Sequence, residues 1–316
     1  MGQPAGAWDP ASIPTVVLED ARVVAEGLTF PEGPVALADG SVLVTEIDIA
    51  NITRIGPDGD VEVLMTVPGG PNGAAVGPDG MLWVCNNGGR FASGTYDGGW
   101  IERIDVERRT TEVVHRTIDG RKLSGPNDIV FDGDGGCWVT DTGKAMGRTR
   151  EVGSLYYLPP GLTEITEVVH PAESPNGVGL SPDGRTLYWA ETGTGRLRRR
   201  TITGPGQVAP LQGHGLESLV VGLPGHQMFD SLAVDADGYV CVATFITGAI
   251  TAVSPDGRDV VQYKLPEGLD DWFPTNLCFG GPDLRTAFIT LAHTGRLVAA
   301  TWPRPGLALA FNDLAT

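Results

Sequence analysis

Six times along this chain a polar residue precedes the Asp of a tight turn by seven positions, and each turn leads into a short apolar run. The pairs are Glu32 with Asp39, Asn72 with Asp79, Asn127 with Asp134, Asn176 with Asp183, Asp230 with Asp237, and Asn276 with Asp283. Successive polar positions lie 40, 55, 49, 54 and 46 residues apart. That period suits a propeller blade of four short strands rather than a helical repeat. The expected fold class is all-β, a six-bladed β-propeller with four-stranded blades.

The text within a repeat agrees. Ser41 to Ile47, Ile52 to Ile55 and Val61 to Val67 are short β-branched runs, broken by Asn51 and by Pro57-Asp58-Gly59. Pro-Asp-Gly recurs at Pro57, Pro78, Pro182 and Pro255, which is turn chemistry between strands. The 45 glycines and 24 prolines fit many tight turns rather than disorder, because 41% of the chain is apolar.

A closed ring must join its first and last strands. Thr15 to Val24 precedes the first marked residue and Leu297 to Trp302 follows the last, so the early strand is expected to complete the final blade and remove an open edge. Residues 1–14 are expected to form an N-terminal arm and 15–316 one propeller domain, since the repeats run on without a linker. The N-terminus lacks a basic start and an apolar stretch, and no run approaches the ~18 apolar residues of a membrane span. The expectation is a soluble, cytoplasmic monomer or homodimer acting on a small molecule. A net charge of -17 argues against nucleic acid or an anionic membrane as partner.

Cys85, Cys137, Cys241 and Cys278 stand singly within strand-like runs, without the spacing of a zinc knuckle or redox motif, and are expected to be reduced core residues. The histidines at 115, 170, 214, 226 and 293 are scattered, with no HExxH. His226, four residues before Asp230, is the one retained as a candidate at the tunnel mouth. No GxSxG elbow or phosphate-cradling glycine motif is present.

In a propeller the first strand of each blade lines the central tunnel. Glu32, Asn72, Asn127, Asn176, Asp230 and Asn276 should therefore converge in a ring at one mouth. Two carboxylates and several amide oxygens make a hard, all-oxygen coordination set. The plainer reading is that each residue caps a turn. It explains the set less well, because burying two unpaired carboxylates costs several kcal/mol each. Two like charges ~4 Å apart repel by roughly 4 kcal/mol even at an effective dielectric of 20. One divalent cation relieves both penalties.

The blocks GLTFPEGP, GGPNGAAVGPDGMLWVCNNG, PNDIVFDGDG, SPNGVGLSPDGRTLYWAET and FDSLAVDADGYVCVA together resemble the gluconolactonase, senescence marker protein and luciferin-regenerating enzyme superfamily. The resemblance spans about Val23 to Trp302, and the ordered set is far more specific than any one block. It implies a six-bladed propeller that hydrolyses sugar lactones or related esters, with some relatives acting on organophosphates. It also implies a single metal held by Glu32, Asn127, Asn176 and Asp230, a subset of the six ring positions. Calcium is the first expectation, with zinc, magnesium or manganese as alternatives.

For a lactone, such a metal would polarise the ring carbonyl and lower the pKa of bound water. Asp230 is the candidate general base and, with Glu32, the candidate catalytic pair. Asn72 is assigned to substrate hydroxyls, because an amide both donates and accepts. Asp128 is a candidate for supporting the site or binding another cation, with a solvated turn residue as an equal alternative. Two departures alter the substrate wall. Cys85-Asn86-Asn87-Gly88-Gly89-Arg90 stands where relatives often read CEHG, and Thr140-Asp141-Thr142-Gly143-Lys144 stands where they often read TDPPYG. The Gly-rich, aromatic loop Arg90 to Trp100 reads either as a lid or as a surface hairpin insertion. Arg90, Tyr96, Trp100, Trp272 and Phe273 are candidate substrate contacts, with packing between blades as the ordinary alternative. The altered wall keeps open an organophosphate, aryl ester or natural-product substrate. A propeller scaffold with a purely structural metal is the reading from another class.

Overall fold

The computed structural model describes residues 13–89, 96–213, 215–312 and 314. Apart from one short 3-10 helix at Leu216–Ser218, its regular structure among these residues is all β. Six antiparallel blades follow one another around an axis. Their innermost strands are Pro31–Ala36, Pro71–Val76, Pro126–Phe131, Pro175–Leu180, Met228–Val234 and Pro274–Gly280. Each contacts the next, and Pro274–Gly280 returns to Pro31–Ala36, so the ring is closed.

The closure uses the early segment in two pieces. Arg22–Glu26 pairs antiparallel with Arg296–Thr301 and completes the sixth blade, as the apolar text predicts. Thr15–Val17 runs parallel to Val260–Lys264 and adds a fifth strand to the fifth blade. Both pairings cover ladder edges that would otherwise be open to another chain.

The repeated turns explain why the strands begin where they do. In four blades the marked Asp caps its own turn: Asp39 Oδ1 accepts from Ser41 N at 2.9 Å, and Asp79, Asp183 and Asp283 accept from Met81, Arg185 and Arg285 N at 3.1 Å. In the third and fifth blades an Asp two residues earlier takes the part. Asp132 accepts from Gly136 N and Asp235 from Tyr239 N, both at 2.9 Å. A left-handed residue completes every turn, Gly in five blades and Leu284 (φ 56°) in the sixth.

Apolar side chains pack between neighbouring blades. Trp83, Ile101, Ile129, Phe131 and Val139 join blades two and three, and Trp138, Leu155, Val178, Leu180 and Trp189 join three and four. Each fully buried residue of this size contributes roughly 1.5–3 kcal/mol. The four cysteines are unpaired, and three are fully buried. No helix among the described residues is long and apolar enough to cross a membrane.

The two mouths of the tunnel differ. The later residues of the inner strands enclose a cavity of about 380 Å³, lined largely by Val, Ile, Leu, Ala and Phe side chains, across which Leu307–Asn312 passes. Arg304 anchors that C-terminal segment by pairing with buried Asp235 and stacking on Tyr239. The polar ring lies at the opposite end, where the inner strands begin.

Candidate active site

Each inner strand carries an irregularity at its marked residue. Pairing jumps from Pro71 to Ala74, from Pro126 to Ile129, from Pro175 to Val178, from Glu32 to Val35, from Phe229 to Leu232 and from Pro274 to Asn276. One extra residue per strand re-aims the local side chains, as bulges do beside functional sites. All six marked residues are buried, with exposures between 2% and 7%.

The residue after each marked position sets how closely the blades approach. Gly73 sits so near the third blade that a Cβ would lie 2.5 Å from both Asn127 O and Asp128 Oδ1. Gly33 and Gly177 meet the backbone of the following blade equally tightly. Asp128 occupies this position in the third blade. Its Oδ1 accepts from Ile129 N at 2.9 Å and its Oδ2 from Val178 N at 3.3 Å in the next blade. Asp128 is buried, not a solvated turn residue, and faces the ring carboxylates.

The ring is internally wired. Asn276 Nδ2 donates to Glu32 Oε2 at 3.2 Å, which also accepts from Gly33 N at 3.2 Å. Asn176 Nδ2 donates to Asp230 Oδ1 at 2.6 Å, while Asn176 Oδ1 accepts from Ser231 at 3.2 Å. Glu32 Oε1 and Asp230 Oδ2 remain outside these bonds. The side-chain oxygens of Asn72 and Asn127 are buried without any hydrogen-bond partner among the described residues. Such orphaned acceptors cost on the order of 1–3 kcal/mol each.

Burial raises the proton affinity of all three carboxyl groups, and like charge adds to it at Glu32 and Asp230. Burial pushes Glu32 well above the usual carboxylate range, and Asp230 and Asp128 add to the shift. Burial lifts Asp230 to about 8, with Asp128 contributing and Asn176 opposing. Burial takes Asp128 to about 7 against the pull of the Ile129 and Val178 amides and Ser231. No three His, Cys, Asp or Glu side chains among the described residues converge as a ligand set by themselves. A cation here would need the amide oxygens as well, and the orphaned Asn127 oxygen fits that requirement.

Four second strands end in a polar residue fourteen or fifteen positions beyond the ring, at Glu46, Asn86, Asp141 and Glu191. Glu46 accepts from Thr29 N at 2.6 Å and Asn86 from Gly70 N at 2.8 Å. Asp141 accepts from the Ser124, Gly125 and Gly143 amides at 2.7 to 2.9 Å. Glu46, Asn86 and Asp141 thus clamp the segments that lead into the inner strands, whereas Glu191 accepts from Thr194 and Arg198 within its own blade. Asp141 carries no assigned role in the motif pattern, although its offset of fourteen residues from Asn127 repeats at Glu46 and Asn86.

The remaining candidates separate. His226 is exposed on the segment entering the fifth inner strand. Trp100 is buried, with Arg116 4.2 Å above its ring and Gly69 against its edge. Arg90 lies outside the described residues, as does most of the loop read as a lid. On the opposite side of the mouth, Phe273 meets Phe30, Phe245 and Trp272, and Trp272 meets His293, an aromatic wall with contacting centroids 4.6 to 5.5 Å apart. Trp272 is 45% exposed upon it.

The Lactonase drp35 of Staphylococcus epidermidis is 28% identical over 268 residues, covering 82% of this chain and 74% of its own. The Gluconolactonase of Zymomonas mobilis is 27% identical over 307 residues, covering 86% and 79%. Among solved structures, a gluconolactonase from Xanthomonas campestris superposes with a TM-score of 0.72 at 24% identity, covering 90% of this chain and 91% of that one. A calcium-binding regucalcin from Agrobacterium tumefaciens gives 0.75 at 20% identity, covering 96% and 99%. At such identities the structural likeness carries the fold alone. A family model described as SMP-30/Gluconolactonase/LRE-like region matches residues 30–293, and the chain belongs to that family.

Proposed function

We propose that this protein is a divalent-cation-dependent hydrolase that opens small lactones. The observation that carries the reading is the buried trio Glu32, Asp128 and Asp230, which forms no ion pair with a cationic side chain among the described residues and accompanies the orphaned oxygens of Asn72 and Asn127. The lactonase and gluconolactonase names of its relatives supply the reaction class.

Glu32, Asn127, Asn176 and Asp230 would hold the ion, with calcium the first choice for an all-oxygen set. A bound ion supplies a Lewis acid for the lactone carbonyl. Asp230 acts as general base. Asn176 occupies its Oδ1, so Oδ2 takes a proton from water as the water oxygen bonds to the carbonyl carbon. As the ring C–O bond breaks, the same proton passes to the departing alkoxide, which leaves a hydroxy acid and restores the carboxylate. Asn276 and Gly33 fix Glu32 through Oε2. Asn72 Oδ1 remains to accept from a substrate hydroxyl.

The aromatic wall favours one second reading, an aryl ester or aromatic lactone resting on Trp272. A pH-indicator assay over sugar lactones, simple lactones and aryl esters tests both. Lactone opening that falls about 10²- to 10⁴-fold in Asp230→Asn is the expected result. No turnover on any member of the panel would remove the hydrolase reading in favour of a scaffold.

A further inference from the structure

Lys144 stands at the same mouth as the ring. Pro71 pairs with Asn86 and Pro126 with Asp141, so the segments leaving those second strands, Asn87–Gly89 and Thr142–Lys144, emerge where Asn72 and Asn127 begin the inner strands. The ammonium donates to Asn87 O at 2.9 Å and Gly89 O at 2.6 Å, and lies 5.1 Å from the centre of the Tyr96 ring. Tyr96 is itself tied through its hydroxyl to Ser124 O. Backbone and ring thus fix a half-buried cation between blades two and three, across the mouth from the aromatic wall.

Among the described residues Lys144 makes no ion pair. The Asp141 carboxylate is occupied by the Ser124, Gly125 and Gly143 amides, and Glu151 accepts from the Ser124 hydroxyl. An ammonium has three N–H donors, and two are used here. Burial lowers its proton affinity to about 8, with the Asp141 carboxylate opposing the shift from beyond ion-pair distance, and a desolvated charge of this kind is costly unless something pairs with it. The chain carries a net charge of -17 and the ring holds three buried carboxyl groups, so an acidic substrate would be repelled unless a fixed cation met it.

We propose that Lys144 is a specificity residue that pairs with an ionised acid substituent on the substrate, a carboxylate or phosphate carried by the lactone apart from its reacting carbonyl. Resting on the lactonase reading, this narrows the substrate class from neutral to acidic lactones. The shared chemistry is an anionic oxygen cluster accepting the third N–H.

Matched probes test it. γ-Butyrolactone is compared with the same ring bearing a carboxylate, and gluconolactone with its phosphate ester, in wild type, Lys144→Met and Lys144→Arg. The expected result is that wild type prefers one acidic probe and that Lys144→Met reduces the acidic-to-neutral ratio of kcat/KM about tenfold, through KM, with Lys144→Arg retaining part of it. The favoured pair identifies carboxylate or phosphate. An unchanged ratio, or equal losses on neutral and acidic probes through kcat, would overturn the assignment. If wild type opens no lactone, the hydrolase reading fails separately. The thermal shift induced by the ring-opened dicarboxylate then decides the pairing, which is lost in Lys144→Met if the proposal holds and unaltered if it does not.

Discussion

The two unsatisfied amide oxygens and three crowded carboxyl groups are the residues around which the functional reading turns. Their protonation makes a prediction about stability. An acid whose folded-state pKa lies above its unfolded value near ~4 binds more protons when native. It favours the fold below ~4 and loses that contribution as pH rises through the folded value. With Asp128 raised to about 7 and Asp230 to about 8, melting temperatures of chelator-treated protein should fall between pH ~4 and ~8. Added calcium should recover the loss at the upper end. Asp230→Asn should melt higher than wild type there without cation and gain little from calcium. A flat or rising profile in chelator would contradict the buried, uncompensated cluster. The ring members were legible in the sequence because one offset repeats six times. Individual duties were not: that Asn276 steadies Glu32, or that the Asn87 carbonyl holds Lys144, depends on contacts between residues far apart in the chain.

Strand geometry turns that periodicity into a site. The bulge at the head of each inner strand places a side chain toward the axis, and in blades one, two and four the glycine after it lets the next blade close in. Gly73→Ala should therefore act on the site as well as on stability, because its Cβ would meet the Asn127 and Asp128 backbone directly. A cost of about 1–3 kcal/mol and weaker calcium binding are expected, read by denaturant melts and calorimetric titration. A variant with wild-type stability and affinity would show that the blades relax apart freely. The offset also misled locally. Asp134 and Asp237 match the pattern, yet Asp132 and Asp235 cap those turns, since an Asp two positions earlier can reach the same amides. The bulges themselves are invisible to a period-two pattern, because one inserted residue leaves no compositional mark.

Closure of the ring gives the molecule one stable arrangement of its blades. The early segment divides its work: Arg22–Glu26 fills the last place in the sixth blade, and Thr15–Val17 lies outermost on the fifth with every residue exposed. Truncation through residue 17 should leave a folded propeller, whereas truncation through residue 26 should expose the edge of Arg296–Thr301. The longer deletion is expected to lower the melting temperature by about 10 °C or more and to promote association, seen by calorimetry and size-exclusion chromatography. Equal behaviour of the two truncations would mean that the sixth blade does not depend on its fourth strand. Closure also leaves the two mouths with different chemistry, an apolar cavity crossed by the C-terminal segment at one end and the polar ring at the other.

The most direct measurement is the rate of lactone opening by protein stripped of metal with chelator and then titrated with calcium, magnesium, manganese or zinc. Stripped protein should be inert and should regain turnover on addition of a divalent cation, in proportion to site occupancy. Full turnover by demonstrably metal-free protein would contradict a cation-dependent ring.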